Sequence, residues 1–170
     1  TVWTKLVKTS LIREHDLYFK KGIRNEDTDW IARMLICAER FEWYDKPFYM
    51  YRKGHETAQT SQKMKYYMVN DLKNILIEYT EYAQQHMDEK YRRVFYSYLA
   101  YPYAVWMGQA YLIEQNEQIK KDRKLMKKYD YLLSYDMNPA VHLVHLVYRI
   151  LGFELTSKIL MLYIKKTYYS

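Results

Sequence analysis

Two rhythms divide the chain near residue 60. Before it, apolar residues come in short mixed segments. After it they recur at helical spacing over long, Tyr-rich stretches with no glycine until Gly108. KTSLIREHD reads as a helical turn with Ser10 placed to cap its start, and LYFKKG as a short extended piece ending at Gly22. In IRNEDTDWIARML, residues 23–35, Asn25 stands as N-cap and Glu26 and Asp27 fall in the first turn. Trp30, Ile31, Met34 and Leu35 then follow at helical spacing. RFEWYDKPFYMYRKG predicts a turn at 45–47 leading into a strand, in which Phe48, Met50 and Arg52 alternate with Tyr49 and Tyr51.

From Ser61 the pattern predicts four or five helices. One runs over about 63–86, with Tyr67, Leu72, Ile75 and Tyr79 near helical spacing. The next, about 88–116, carries Pro102 and Gly108 and is expected to kink or break at the proline. A third contains IKKDRKLMKKYDYLL. Asn138–Pro139 opens a fourth, with proline in the first turn, and Gly152 divides it from a last helix, ELTSKILMLYIKKT. The fold class expected is mainly α: a small α+β part over 1–60, then a bundle of four or five helices over 61–170.

Composition agrees, since 49% hydrophobic and 18% aromatic residues suit a globular chain with an aromatic core. Only 4 Gly and 3 Pro leave little material for a turn-rich all-β fold. A single cysteine, Cys37, rules out an internal disulfide and a Cys-based zinc cage, and its apolar helical surroundings predict a buried thiol. A formal charge of +7 permits nucleic acid, anionic lipid or phosphorylated substrates and selects none of them. No signal peptide is legible, and the longest mostly apolar run, Val141 to Phe153, is interrupted by His142, His145 and Arg149. It falls short of the roughly 20 residues that span a bilayer. The start at Thr1, without an initiator Met, suggests a processed or truncated chain.

Glu26 and Asp27 have two readings. The helix dipole favours carboxylates in a first turn by about 0.3–1 kcal/mol each, so capping alone accounts for them. A general base would take the same place, held firmly at the mouth of a cleft.

The surrounding pieces come in a fixed order: Trp3 and Lys5 of a W-x-K-L segment, Leu11, Phe19 and Gly22. Then come Glu26–Asp27 with Trp30, Leu35 and Ala38, then Lys46–Pro47 and the Tyr49-x-Tyr51-Arg52 strand. Together, over about 55 residues, they resemble the C-terminal half of the catalytic domain of family 2 glycosyltransferases of the bacterial capsule and O-antigen type. The resemblance implies a GT-A lobe and inverting transfer from a nucleotide sugar to a saccharide or lipid-linked acceptor in polysaccharide biosynthesis. It makes Asp27 the catalytic base, with Glu26 steering it or the acceptor. Trp30 and Trp3 become surfaces for a sugar ring, with core packing the alternative for each, and Lys5 joins them on the acceptor side. Arg52, with Lys53 and His55, becomes a contact for the leaving diphosphate.

Two departures are plain. KGHETAQTS stands where many relatives have a small pair after Tyr-Arg, which unsettles His55 and Thr57. No Asp-x-Asp precedes the W-x-K segment, and Asp27-x-Asp29 lies inside the helix of the proposed base. The resemblance puts the nucleotide-binding half, and its Mg or Mn, ahead of Thr1. The 170-residue chain is therefore expected to bind no metal and to transfer no sugar alone.

The remaining features are less specific. Six cations between residues 120 and 128 predict a solvated helix face, and no nucleic-acid motif accompanies them. In the tail, 153–170, Leu155, Ile159, Leu162 and Ile164 form an apolar side flanked by Lys158, Lys165 and Lys166. That suits either packing on the bundle or an anionic membrane surface. His142 and His145, at i, i+3, are expected to be core histidines rather than metal ligands. The expected location is cytoplasmic, peripheral on the inner face of the plasma membrane, with a homo-oligomer left open. A non-catalytic helical interaction module and a peripheral membrane-binding module stand as alternatives.

Overall fold

Helices form where apolar residues return every three or four positions. The computed structural model describes residues 2–50 and 63–168 and is mainly helical. A 3₁₀ turn at Val2–Thr4 precedes α1 (Thr9–Glu14) and α2 (Glu26–Cys37). Then come α3 (Tyr66–His86), α4 (Glu89–Gln109) and α5 (Glu117–Met126). A 3₁₀ segment, Lys127–Ser134, leads to α6 (Pro139–Tyr168), which is broken at Gly152.

α3 buries Met68, Val69, Leu72, Ile75, Leu76, Tyr79 and Ala83, while Tyr67 is exposed; its core stripe runs one residue away from Tyr67. α4 answers with Phe95, Tyr96, Leu99, Tyr103, Trp106 and Met107. The helix continues through Pro102 without the break that was one of its two expected outcomes. A mid-helix proline costs about 3 kcal/mol, and buried bonds on both flanks of α4 hold it in place. Tyr103 donates to the Met126 carbonyl at 2.9 Å and Trp106 Nε1 to the Val69 carbonyl at 3.1 Å. The expected 88–116 helix ends instead at Gln109. Asn116 caps α5, its side chain accepting from the Ile119 N–H at 3.1 Å. Ile119 and Met126 of α5, with Leu132 and Leu133 beyond it, complete the main core.

α6 folds back along α4. At Gly152 the backbone takes φ 69° and ψ −177°, a conformation open almost only to glycine, so the expected division of this helix holds. The C-terminal arm passes Gly108 closely: a Cβ there would lie 2.7 Å from Ile164 Cδ1 and 3.0 Å from the Leu160 backbone. A glycine in α4 thus lets two helices approach.

A second cluster, Leu17, Trp30, Ile31 and Met34, ties α2 to Val2, Val7, Leu11 and Ile12. Ala32, on another side of α2, joins the main core. The first 50 residues and the bundle therefore share packing. Among the described residues there is no strand, and 48–50 are irregular; Tyr51 and Arg52, which complete the expected strand, lie outside the described residues. Ser10 caps nothing, because α1 starts at Thr9 with Lys8 as its N-cap and no side-chain cap bond. No helix among the described residues is long and apolar enough to cross a membrane.

Candidate functional site

α2 begins at an unusual backbone. Asn25 is at the N-cap as expected, but in the left-handed region (φ 64°, ψ 33°), and its side chain makes no cap bond. Instead Asn25 Nδ2 donates to the Met68 carbonyl at 3.2 Å, and the Arg24 N–H donates to Asp71 Oδ2 at 2.8 Å. Asparagine tolerates this conformation better than most residues. Both bonds fasten the start of α2 to α3. From the α4 side Tyr98 donates to the Thr28 carbonyl at 2.7 Å. Burial, then the charges of Asp27 and Asp29, push its phenol well above the ordinary tyrosine range.

The first turn holds three acids with different fates. Glu26 and Asp27 are half-buried and take no hydrogen bond or ion pair from the described residues. Asp29 is fully buried and saturated. It accepts from Lys20 Nζ at 2.7 Å, from Arg33 Nε at 3.0 Å and from the Tyr79 hydroxyl at 2.8 Å. Burial first, then this bond to Asp29, holds the Tyr79 phenol protonated far above its ordinary range. Arg33 also reaches the Tyr18 carbonyl at 2.6 Å, so the 16–20 loop, α2 and α3 meet at one carboxylate. The residue pattern did carry one sign of this, since Asp29 and Arg33 stand at i, i+4.

Trp30 is 4% exposed, its Nε1–H donates to the Leu17 carbonyl at 2.7 Å, and its ring stacks on Phe19 at 5.8 Å. Of its two readings, the structure gives core packing, and the ring offers no face to a sugar. Trp3 stacks on Tyr49 at 6.2 Å, which joins the W-x-K and Y-x-Y pieces despite their separation in sequence. Lys5 is exposed and donates to Thr4 Oγ1. Arg52, Lys53, His55 and Thr57 lie outside the described residues. Cys37 is half-buried, with its thiol pKa raised chiefly by burial.

Asp29 cannot serve with Asp27 as a metal pair, because Lys20, Arg33 and Tyr79 already take up its oxygens. No other cluster of three His, Cys, Asp or Glu among the described residues is placed to hold a metal.

The histidines differ from expectation. His142 is exposed and His145 half-buried, and both Nδ1 atoms point at one oxygen of Asp136, at 2.8 and 3.0 Å. Asp136, just before α6, draws both rings to the surface instead of the core. Their bonds, His145 first, hold its carboxyl below the ordinary range.

Within the basic run the acid is the buried residue. Asp122 accepts from Lys73 Nζ at 2.8 Å and from the Tyr66 hydroxyl at 2.9 Å, pinning α5 to α3. Lys120, Lys121, Lys124, Lys127 and Lys128 are exposed, as a solvated face requires.

Beside α2 lies a feature that residue patterns did not announce. A cavity of about 580 Å³ sits between α4 and the two arms of α6 and reaches Met64 just before α3, Met68 of α3, and Arg24 and Asn25 before α2. Sealed and empty, this volume would cost about 14 kcal/mol at roughly 24 cal/mol per Å³, as much as the stability of a whole domain. It is open instead, with Leu143 64% and Tyr163 66% exposed on its rim.

Comparison with protein-family models, with curated proteins and with solved structures returns no match.

Proposed function

We propose that this chain is the acceptor-side, C-terminal part of an inverting family 2 glycosyltransferase of the bacterial surface-polysaccharide type. Residues 1–60 would then be what remains of an α+β GT-A lobe, followed by a helical domain. In this reading the Asp27 carboxylate takes the proton of an acceptor hydroxyl as its oxygen attacks the anomeric carbon of a nucleotide sugar. The bond to the nucleotide diphosphate breaks on the opposite face, and the diphosphate leaves with the electron pair. Glu26 steers the acceptor. Arg52, with Lys53 and His55, contacts the leaving diphosphate, while the donor pocket and its Mg or Mn belong to a nucleotide-binding half outside this chain.

One observation carries the reading. Asp27 stands in the first turn of a helix clamped on both sides, half-buried, with no described protein group neutralising it. The test is Asp27→Asn in the longer protein that the resemblance implies. Loss of transfer with the helical signal intact supports the base; undiminished transfer sinks it.

A second reading has its own observation. On the C-terminal arm of α6, Leu155, Ile159, Leu162 and Tyr163 are 46–66% exposed, with Lys158, Lys165 and Lys166 also at the surface. Such a face suits a cytoplasmic, peripheral seat on an anionic membrane, where a lipid-linked acceptor resides. Co-sedimentation with anionic vesicles should fall when residues 153–170 are removed; equal binding refutes the role.

A further inference from the structure

We infer that the cavity between α4 and the two arms of α6 binds one aliphatic chain carrying a neutral, hydroxyl-bearing head. Its volume of about 580 Å³ falls within the roughly 300–1,000 Å³ of small-molecule sites, and its walls are mostly aliphatic. Val144 and Val147 of the first arm of α6, Leu160 and Ile164 of the second, and Val105 of α4 form much of that lining.

Polar atoms specify the head. Gln109 and Thr156 both line the cavity, and Gln109 Oε1 and Thr156 Oγ1 are buried without a hydrogen-bond partner among the described residues. Thr156 is 1% exposed. A helical threonine ordinarily turns its hydroxyl to the carbonyl four residues back, as Ser157 does to Phe153 at 2.7 Å. For Thr156 that carbonyl belongs to Gly152, whose ψ of −177° swings it out of the helical direction. The break in α6 thus both shapes the cavity and strands a hydroxyl in its wall.

Buried polar atoms of this kind are rare and find partners where they can. A ligand hydroxyl donates to Gln109 Oε1 or accepts from Thr156 Oγ1, since it can do both. A carboxylate has no proton for Gln109 Oε1, whereas a hydroxyl has one. A neutral head is therefore favoured over an anionic one. The site stands whether or not the chain serves sugar transfer.

Equilibrium dialysis of the 170-residue chain with radiolabelled 1-dodecanol tests it, with dodecanoate as the anionic comparator. One alcohol per chain should bind, at least tenfold more tightly than dodecanoate. Val144→Trp, which fills the cavity, should weaken binding at least tenfold with unchanged circular dichroism. Should that variant fail to fold, Thr156→Val provides the reading: it should weaken 1-dodecanol several-fold and leave dodecane unaffected. Absence of saturable alcohol binding, equal affinity for dodecanoate, or wild-type binding by a folded Val144→Trp overturns the inference. So does a dimer, seen by sedimentation, that forms over this face and excludes the alcohol.

Discussion

Asp27 and Asp29 are two residues apart and should respond oppositely to substitution. Asp29→Ala removes a buried carboxylate and leaves the Tyr79 hydroxyl, 2.8 Å away, without its acceptor. An orphaned buried hydroxyl costs about 1–3 kcal/mol. The two cations add less than the roughly 3–5 kcal/mol of a fully buried broken pair, because the Lys20 side chain is 42% and that of Arg33 20% exposed, and both can turn to water. The expected loss is about 2–4 kcal/mol. With a urea m-value of about 2 kcal/mol per M, the unfolding midpoint should fall by about 1–2 M. Asp27→Asn, which breaks no described contact, should cost no more than the roughly 0.3–1 kcal/mol that the helix dipole lends a first-turn carboxylate. A cycle of Asp29→Ala with Tyr79→Phe should give a coupling of about 0.5–3 kcal/mol. An Asp29→Ala midpoint equal to wild type would refute the assignment of Asp29 as the anchor of α2.

Three further outcomes are expected. Asp122→Leu should destabilise by about 3–5 kcal/mol, because it leaves the Lys73 ammonium buried and unpaired; adding Lys73→Met should recover part of the loss in urea titrations. Gly108→Ala should cost about 1–3 kcal/mol despite alanine's better helix propensity, since the Leu160 backbone stands 3.0 Å from the new Cβ; a raised Tm would contradict the close approach of α4 and α6. Asp136 has a native pKa below its ordinary 3.8, so its contribution is full above that value and is lost as the pH falls through the lowered native value. Asp136→Asn should therefore narrow its stability gap to wild type when urea midpoints are compared at about pH 5 and about pH 2.

Much of the helical frame was legible because it rests on local rules. Asn25 and Gly152 mark real boundaries, and the period of 3.6 marks α2 and α3. What was not legible depends on partners distant in sequence. Pro102 looked like a kink or break, yet α4 continues through it, with Tyr103 and Trp106 bonded to residues 126 and 69. His142 and His145 looked like core residues on an apolar helix, and Asp136 draws them to the surface. Trp30 as a sugar platform and Trp30 as core have the same spacing; only the Leu17 carbonyl and the Phe19 ring decide. The three acids of α2 show the limit best. Sequence drew attention to Glu26 and Asp27 by resemblance and passed over Asp29, because its i, i+4 pairing with Arg33 is the only local trace and its partners Lys20 and Tyr79 are distant in sequence. The cavity was invisible for the same reason, since it arises from the angle that Gly152 sets between two apolar arms.

The central claim is that Asp27 removes the acceptor's proton. Its most direct test is the transfer rate of Asp27→Asn at saturating donor and acceptor, in the longer protein with its nucleotide-binding half. General-base catalysis supplies about 10²–10⁴-fold, so the rate should fall by about that factor while the urea midpoint holds. A rate within about threefold of wild type would contradict the claim and leave Asp27 as a helix-capping acid.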